Sequence, residues 1–129
     1  MPGRYALDTN VLIAVLSEDE HAVECWSSVD TVLLPAPVLG ELLFGALRSS
    51  HPDTNQKRVE ELADEMGFIA CDRGVCARYA TLRGALAALG RPIPENDVWV
   101  AACALAADAT LVTRDAHFED IPDLTCEKW

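Results

Sequence analysis

Short apolar runs of strand type alternate with longer stretches of helical spacing along the whole chain. That alternation constrains the fold more than any other feature. Parallel neighbouring strands need long crossover connections, and helices supply them. The first unit shows the pattern: Tyr5-Ala6-Leu7 ends at one carboxylate, Asp8, and Val11, Leu12, Val15 and Leu16 then recur with helical spacing. Strands are expected at 4–7, 31–34, 68–71 and 109–113, with 124–127 as a candidate edge strand.

Between them the spacing predicts six helices. The first runs from Asn10 to Leu16, and Ser17-Glu18-Asp19-Glu20 has the form of a capping box opening a second, through about Val29. A third spans 37–48, with Val38, Leu39, Leu42, Leu43 and Leu47 as its core face. A fourth spans 54–66, with Val59, Leu62, Ala63 and Met66 inward and Gly67 as its C-cap. An Ala-rich fifth covers 72–89. A sixth begins near Glu95 with Val98, Ala101, Ala102, Leu105 and Ala106 on one side. The class is therefore α/β: one domain over 1–129, with a parallel sheet and helices on both faces.

Composition narrows the function. Half the residues are hydrophobic, which argues against disorder, and no apolar run approaches the roughly 20 residues of a membrane span. The apolar stretch near the N-terminus is too short for a secretory signal, so a cytoplasmic protein is expected. The net charge of −11 disfavours nonspecific attraction to nucleic acid and favours cationic partners or metal ions. Five irregularly spaced cysteines, with no C-x-x-C, indicate neither a zinc site nor a disulfide framework.

Four carboxylates stand out by context. Asp8 ends the first strand and Asp115 follows the fourth; Glu41 lies in Leu39-Gly40-Glu41-Leu42-Leu43, and Asp97 opens an otherwise apolar helix. Each alone has a structural explanation. Asp8 fits a helix cap, Asp97 with Asn96 fits another, and Asp115 fits an Asx-turn. Glu41 is harder to explain that way, being flanked by apolar residues. If the four converge they need a cation, since two carboxylates about 4 Å apart repel by about 4 kcal/mol at an effective dielectric near 20. Arg114 is the only obvious nearby cation in sequence, and all-oxygen ligands point to Mg²⁺ or Mn²⁺. Such a site suits phosphodiester hydrolysis, because the metal orients the phosphate and activates a water.

Four segments then carry a resemblance. They are Leu7-Asp8-Thr9-Asn10-Val11-Leu12, Val38-Leu39-Gly40-Glu41-Leu42-Leu43-Phe44-Gly45, Ile93-Pro94-Glu95-Asn96-Asp97-Val98-Trp99-Val100-Ala101-Ala102 and Leu111-Val112-Thr113-Arg114-Asp115-Ala116-His117-Phe118. In their order and spacing they resemble the PIN-domain ribonucleases, closely the toxin half of VapBC-type toxin–antitoxin pairs. The resemblance implies an α/β/α fold with strand order 3-2-1-4-5, and Asp8, Glu41, Asp97 and Asp115 as a metal-binding, catalytic quartet. It assigns Asn10 and Thr113 as supporting polar residues. It also implies an RNA substrate, a homodimer, and a cognate antitoxin whose C-terminal segment wraps the toxin and pushes a basic side chain into the acidic site. Val15, Leu16, Val23 and Trp26 are candidates for the wrapped groove and equally for ordinary core. Arg114, Arg83 and Arg91 are candidate contacts to the RNA backbone.

Two other classes are weighed against this one. A haloacid-dehalogenase-type phosphatase would carry a second aspartate where this chain has Asn10, and its supporting lysine is hard to place, Lys57 and Lys128 being the only lysines. A phosphate-receiver domain lacks the same lysine. A catalytically silent PIN-like binding module is the non-enzymatic alternative.

Overall fold

In the computed structural model residues 3–129 are described; the first two residues of the expected 1–129 unit lie outside them. Strand β1 (Arg4–Leu7) is the middle of the sheet, and from Tyr5 onward no residue in it exceeds 6% exposure. That near-continuous burial fits a parallel strand covered on both faces. It pairs in parallel with β2 (Thr31–Pro35) on one side and with β4 (Thr110–Val112) on the other. Strands β3 (Gly67–Ile69) and β5 (Cys126–Glu127) form the edges, giving the order β3-β2-β1-β4-β5. The expected α/β class and strand order are those observed.

The helices are α1 (Thr9–Leu16), α2 (Glu20–Ser28), α3 (Ala36–Leu47), α4 (Pro52–Asp64), α5 (Arg73–Ala88) and α6 (Glu95–Ala106). A 3-10 turn covers Ala116–Phe118. Helix α6 lies deepest. Val98 and the whole run from Val100 to Ala104 are buried, so small residues let it approach β1, β2, β4 and α3 at once. Leu7, Leu12, Leu111, Val112 and Phe118 are fully buried in the same core. None of the helices described is long and apolar enough to cross a membrane.

Several local expectations are corrected. Helix α2 is capped by Asp19, whose carboxylate accepts from the Ala22 N–H at 3.1 Å; Ser17 instead closes α1, and Glu18 turns the chain with φ of 59°. Gly67 belongs to β3 and is no helix cap. A Cβ there would meet Leu33 Cδ2 at 2.7 Å, so a larger residue would make the end of that side chain shift. Leu47 is 68% exposed and Ala106 is also exposed, whereas Ala46 takes the inward place on α3. Both misplaced residues sit at helix ends, where the apolar stripe has rotated out of the core. Of the groove candidates, Val15, Leu16 and Trp26 pack partly buried against the core, and Val23 stays 39% exposed.

Candidate metal centre

The site is built where strand order reverses. β1 and β4 run side by side in parallel with Leu7 opposite Val112, so the next residues, Asp8 and Thr113, meet at the strands' carboxyl ends. Ligands of open α/β sheets gather in this crevice. The Asp8 N–H closes the ladder on Val112 O at 2.9 Å, and its side chain begins α1 as N-cap.

Asp8 is 4% exposed, and both of its carboxylate oxygens are held. Oδ1 accepts from the Thr9 N–H at 2.8 Å and Oδ2 accepts from the Thr113 hydroxyl at 2.8 Å. Burial nonetheless pushes its carboxyl above the usual range against these two bonds, and the charges of Asp97 and Asp115 push it the same way. Glu41, exposed on α3, is also raised, first by desolvation and then by the charges of Asp8 and Asp97. The Asn96 side-chain amide donates to Glu41 Oε1. Among the described residues the Thr9 hydroxyl oxygen is the one buried side-chain polar atom without a hydrogen-bond partner. It lies near enough to Glu41 to favour the charged carboxylate without a bond of regular geometry.

Asp97 sits in the first turn of α6, where the helix dipole favours a negative charge. Its Oδ2 lies 2.5 Å from His117 Nε2. Asp115 is exposed and is placed by two polar neighbours. The Asn10 amide donates to its Oδ2 at 3.2 Å, and the Asp115 N–H donates to Thr113 Oγ1 at 3.1 Å. Asn10 Oδ1 also accepts from the Arg114 N–H at 3.2 Å. Thr113 thus joins Asp8 to Asp115 through one hydroxyl, and Asn10 fixes the chain between β4 and the 3-10 turn.

One ligand atom each from Asp97, Asp115 and His117 lies within 4.8 Å of the others. Asp8 and Glu41 share their electrostatic field, as their raised carboxyls record. Asp8 and Glu41 thus lie near the other two carboxylates but outside the set of ligand atoms that Asp97 and Asp115 form with His117. No lysine or arginine figures among the leading influences on Asp8 or Glu41. Arg114 turns elsewhere: its Nε donates to Trp129 O at 2.8 Å and its NH2 group lies 3.5 Å from Asp19. Arg83 and Arg91 are engaged with Glu95 and Asp120. The donor chemistry fits a divalent cation. Neighbouring carboxylates, two of them raised and, among the described residues, none of the four ion-paired with an arginine or lysine, supply hard oxygen ligands and need positive charge.

His117 is the residue that sequence reasoning missed. It stands two positions after Asp115 in a quoted segment, but a three-residue 3-10 turn has no periodicity to show where its ring points. A largely apolar groove of about 300 Å³ between α1, α3 and α4, lined by Ile13, Leu16, Leu42 and Val59, has Glu41 and Arg58 on its wall.

Fold and site together define an α/β protein with an acidic centre at the topological switch of a 3-2-1-4-5 parallel sheet. The family model of the PIN domain matches residues 5–124. The chain is 28% identical to ribonuclease VapC1 of Haemophilus influenzae, over 97% of each chain. It is 33% identical to ribonuclease VapC4 of Mycobacterium tuberculosis, over 94% of this chain and 93% of that one. Among solved structures, VapBC2 of Rickettsia felis bound to a promoter DNA fragment superposes with a TM-score of 0.90, at 28% identity and 98% coverage of each chain. The chain belongs to the PIN-domain family, and within it to the VapC ribonucleases.

Proposed function

We propose that this chain is an endoribonuclease dependent on Mg²⁺, with Mn²⁺ able to replace it, and the toxin of a type II toxin–antitoxin pair. The observation that carries this reading is the clustering of Asp97, Asp115 and His117 beside the β1–β4 switch, with Asp8 and Glu41 close enough to feel the charge of Asp97 and with no lysine or arginine among the leading influences on those two. The names of the relatives, ribonucleases VapC1 and VapC4, support RNA as substrate, and the VapBC2 assembly supports an antitoxin partner. A cytoplasmic setting and a homodimer belong to the same reading.

Each residue's part follows from its environment. Asp8, Asp97 and Asp115 hold the metal. Asp8 is fixed by the Thr9 N–H and the Thr113 hydroxyl, and Asp115 by Asn10. When bound, the metal orients the scissile phosphate, lowers the pKa of a water and stabilises the leaving oxygen. Glu41 is more open than Asp8 and its raised carboxyl is suited to take a proton from the attacking water. Asn96 orients it. In-line attack by water leaves a 5′-phosphate and a 3′-hydroxyl and makes no use of the RNA 2′-hydroxyl. The groove beside Glu41 gives an antitoxin segment an apolar path to the acidic crevice, where a basic side chain would be drawn in.

The test is expression of the chain alone in cells beside Asp97→Asn. Growth arrest with defined RNA cuts is expected from the parent only. Parent protein that arrests nothing and cuts nothing, alone and after complete antitoxin removal, points to the catalytically silent binding module.

A further inference from the structure

We propose that His117 Nε2 is a direct ligand of the divalent cation in this site, making it a mixed oxygen–nitrogen centre that prefers Mn²⁺ to Mg²⁺. The inference rests on the metal-site reading above and extends it to a residue outside the carboxylate quartet.

Geometry is the first support. The ring nitrogen does not merely flank one carboxylate. It lies 2.5 Å from Asp97 Oδ2, and His117 offers one ring nitrogen to a set, with Asp97 and Asp115, whose ligand atoms are all within 4.8 Å of one another. Ligands at about 2.1 Å from one ion stand about 3 Å apart when adjacent and about 4.2 Å apart when opposite. The 2.5 Å contact would open by about half an ångström to reach the first of these values, and the 4.8 Å bound on the set lies close to the second.

The second support is how the ring is carried. His117 lies in the 3-10 turn whose last residue, Phe118, is fully buried, and the two rings are tilted against each other at 4.9 Å. Phe118 anchors the turn in the core. The imidazole side chain keeps 37% exposure and faces the crevice. The other two histidines are placed elsewhere: His21 in α2 contacts Cys25, and His51 precedes α4.

Chemistry then decides the ion. Mg²⁺ takes oxygen ligands and loses its waters reluctantly, whereas nitrogen donors favour first-row transition ions, among which Mn²⁺ is the one also suited to carboxylates. A nitrogen donor therefore adds affinity for Mn²⁺ and little for Mg²⁺. Removing it should lower Mn²⁺ affinity by at least about tenfold, the loss typical even of outer-shell partners, and leave Mg²⁺ affinity within about threefold.

The experiment is pulsed EPR of Mn²⁺ bound to the full-length, antitoxin-free chain, with Mn²⁺ and Mg²⁺ affinities measured alongside. A directly coordinated ¹⁴N coupling is expected in the parent. It should change on ¹⁵N labelling of histidine and vanish in His117→Gln. Mn²⁺ that binds the parent and is lost from Asp8→Asn, yet shows no nitrogen coupling, overturns the inference and leaves the carboxylate site standing. A nitrogen coupling that persists in His117→Gln also overturns it. Mn²⁺ that binds neither the parent nor any variant overturns the inference together with the metal-site reading. Should His117→Gln fold poorly, His117→Asn carries the same comparison.

Discussion

Asp8→Asn should make the metal-free protein more stable while abolishing its response to metal. The replacement keeps the shape and the cap: an amide oxygen can still accept from the Thr9 N–H, and the amide nitrogen can donate to Thr113 Oγ1. What disappears is a buried charge facing Asp97 and Asp115. Two unit charges about 6 Å apart repel by about 2.8 kcal/mol at a dielectric of 20 and about 0.7 kcal/mol at 80. Asp115 is exposed, so the sum over two such pairs is placed midway between these limits, at about 3.5 kcal/mol. Against this, two charge-assisted hydrogen bonds become neutral, a loss of about 1 kcal/mol each. Relief of the burial penalty, the largest influence on Asp8, adds to the gain. The net stabilisation is about 1–2 kcal/mol, or about 4–8 °C in Tm for a chain of this length. Thermal unfolding in EDTA at neutral pH reads it directly. A repeat at Mg²⁺ a hundredfold above its Kd should raise the parent by a further ~2.7 kcal/mol and leave the variant unmoved. A variant that melts below the parent in EDTA, or that keeps the Mg²⁺ shift, refutes the reasoning.

Thr113→Val removes the hydroxyl donor to buried Asp8 Oδ2 and should destabilise by about 1–3 kcal/mol in chemical denaturation, more than Thr113→Ser, which keeps the donor. The pH dependence has a definite sign. Asp8 and Glu41 have carboxyls raised above their ordinary values, so the folded chain holds protons more tightly than the unfolded one. Asp19 and Glu95, whose carboxyls are lowered, act with the opposite sign, so the comparison is with Asp8→Asn: metal-free parent should gain stability relative to that variant as pH falls from neutral toward the ordinary carboxylate range. Saturating Mg²⁺ should reverse the slope, because binding requires the ionised forms. A metal-free Tm whose pH dependence is the same in parent and Asp8→Asn contradicts the assignment. Thiol titration should separate the cysteines. Exposed Cys71 and Cys76 react first, whereas Cys103, buried and pushed up to about 12 mainly by desolvation, reacts only on unfolding. Native-state labelling of Cys103 as fast as Cys71 would show that α6 opens.

The parts of the fold that were legible in sequence are those with long or strongly apolar patterns. β1 ends at Leu7 as the run Tyr5-Ala6-Leu7 predicts, and α6 begins at Glu95 after the proline-restricted connection. The turn chemistry was harder. Ser17-Glu18-Asp19-Glu20 offers more than one cap, and only packing selects Asp19. Gly67 reads as a terminator because its strand partner β2, with the Leu33 side chain beside it, is distant in sequence. At the site, acidic residues in apolar surroundings are conspicuous on their own. Asn10 and Thr113 acquire their contacts only from the β1–β4 register, and His117 acquires its own from a turn anchored by Phe118. Arg114 shows the converse. Adjacent to Asp115 in the chain, it is drawn instead to the carbonyl of Trp129 and to Asp19, a destination that no local pattern encodes.

The most direct test of the central claim is the chemistry of the cut ends. Antitoxin-free protein would be incubated with RNA and Mg²⁺, beside an EDTA control, and the termini of the fragments identified. Metal-activated water held by Asp8, Glu41, Asp97 and Asp115 predicts Mg²⁺-dependent products carrying 5′-phosphate and 3′-hydroxyl ends. Fragments ending in a cyclic phosphate, or cleavage that persists undiminished in EDTA, would contradict it.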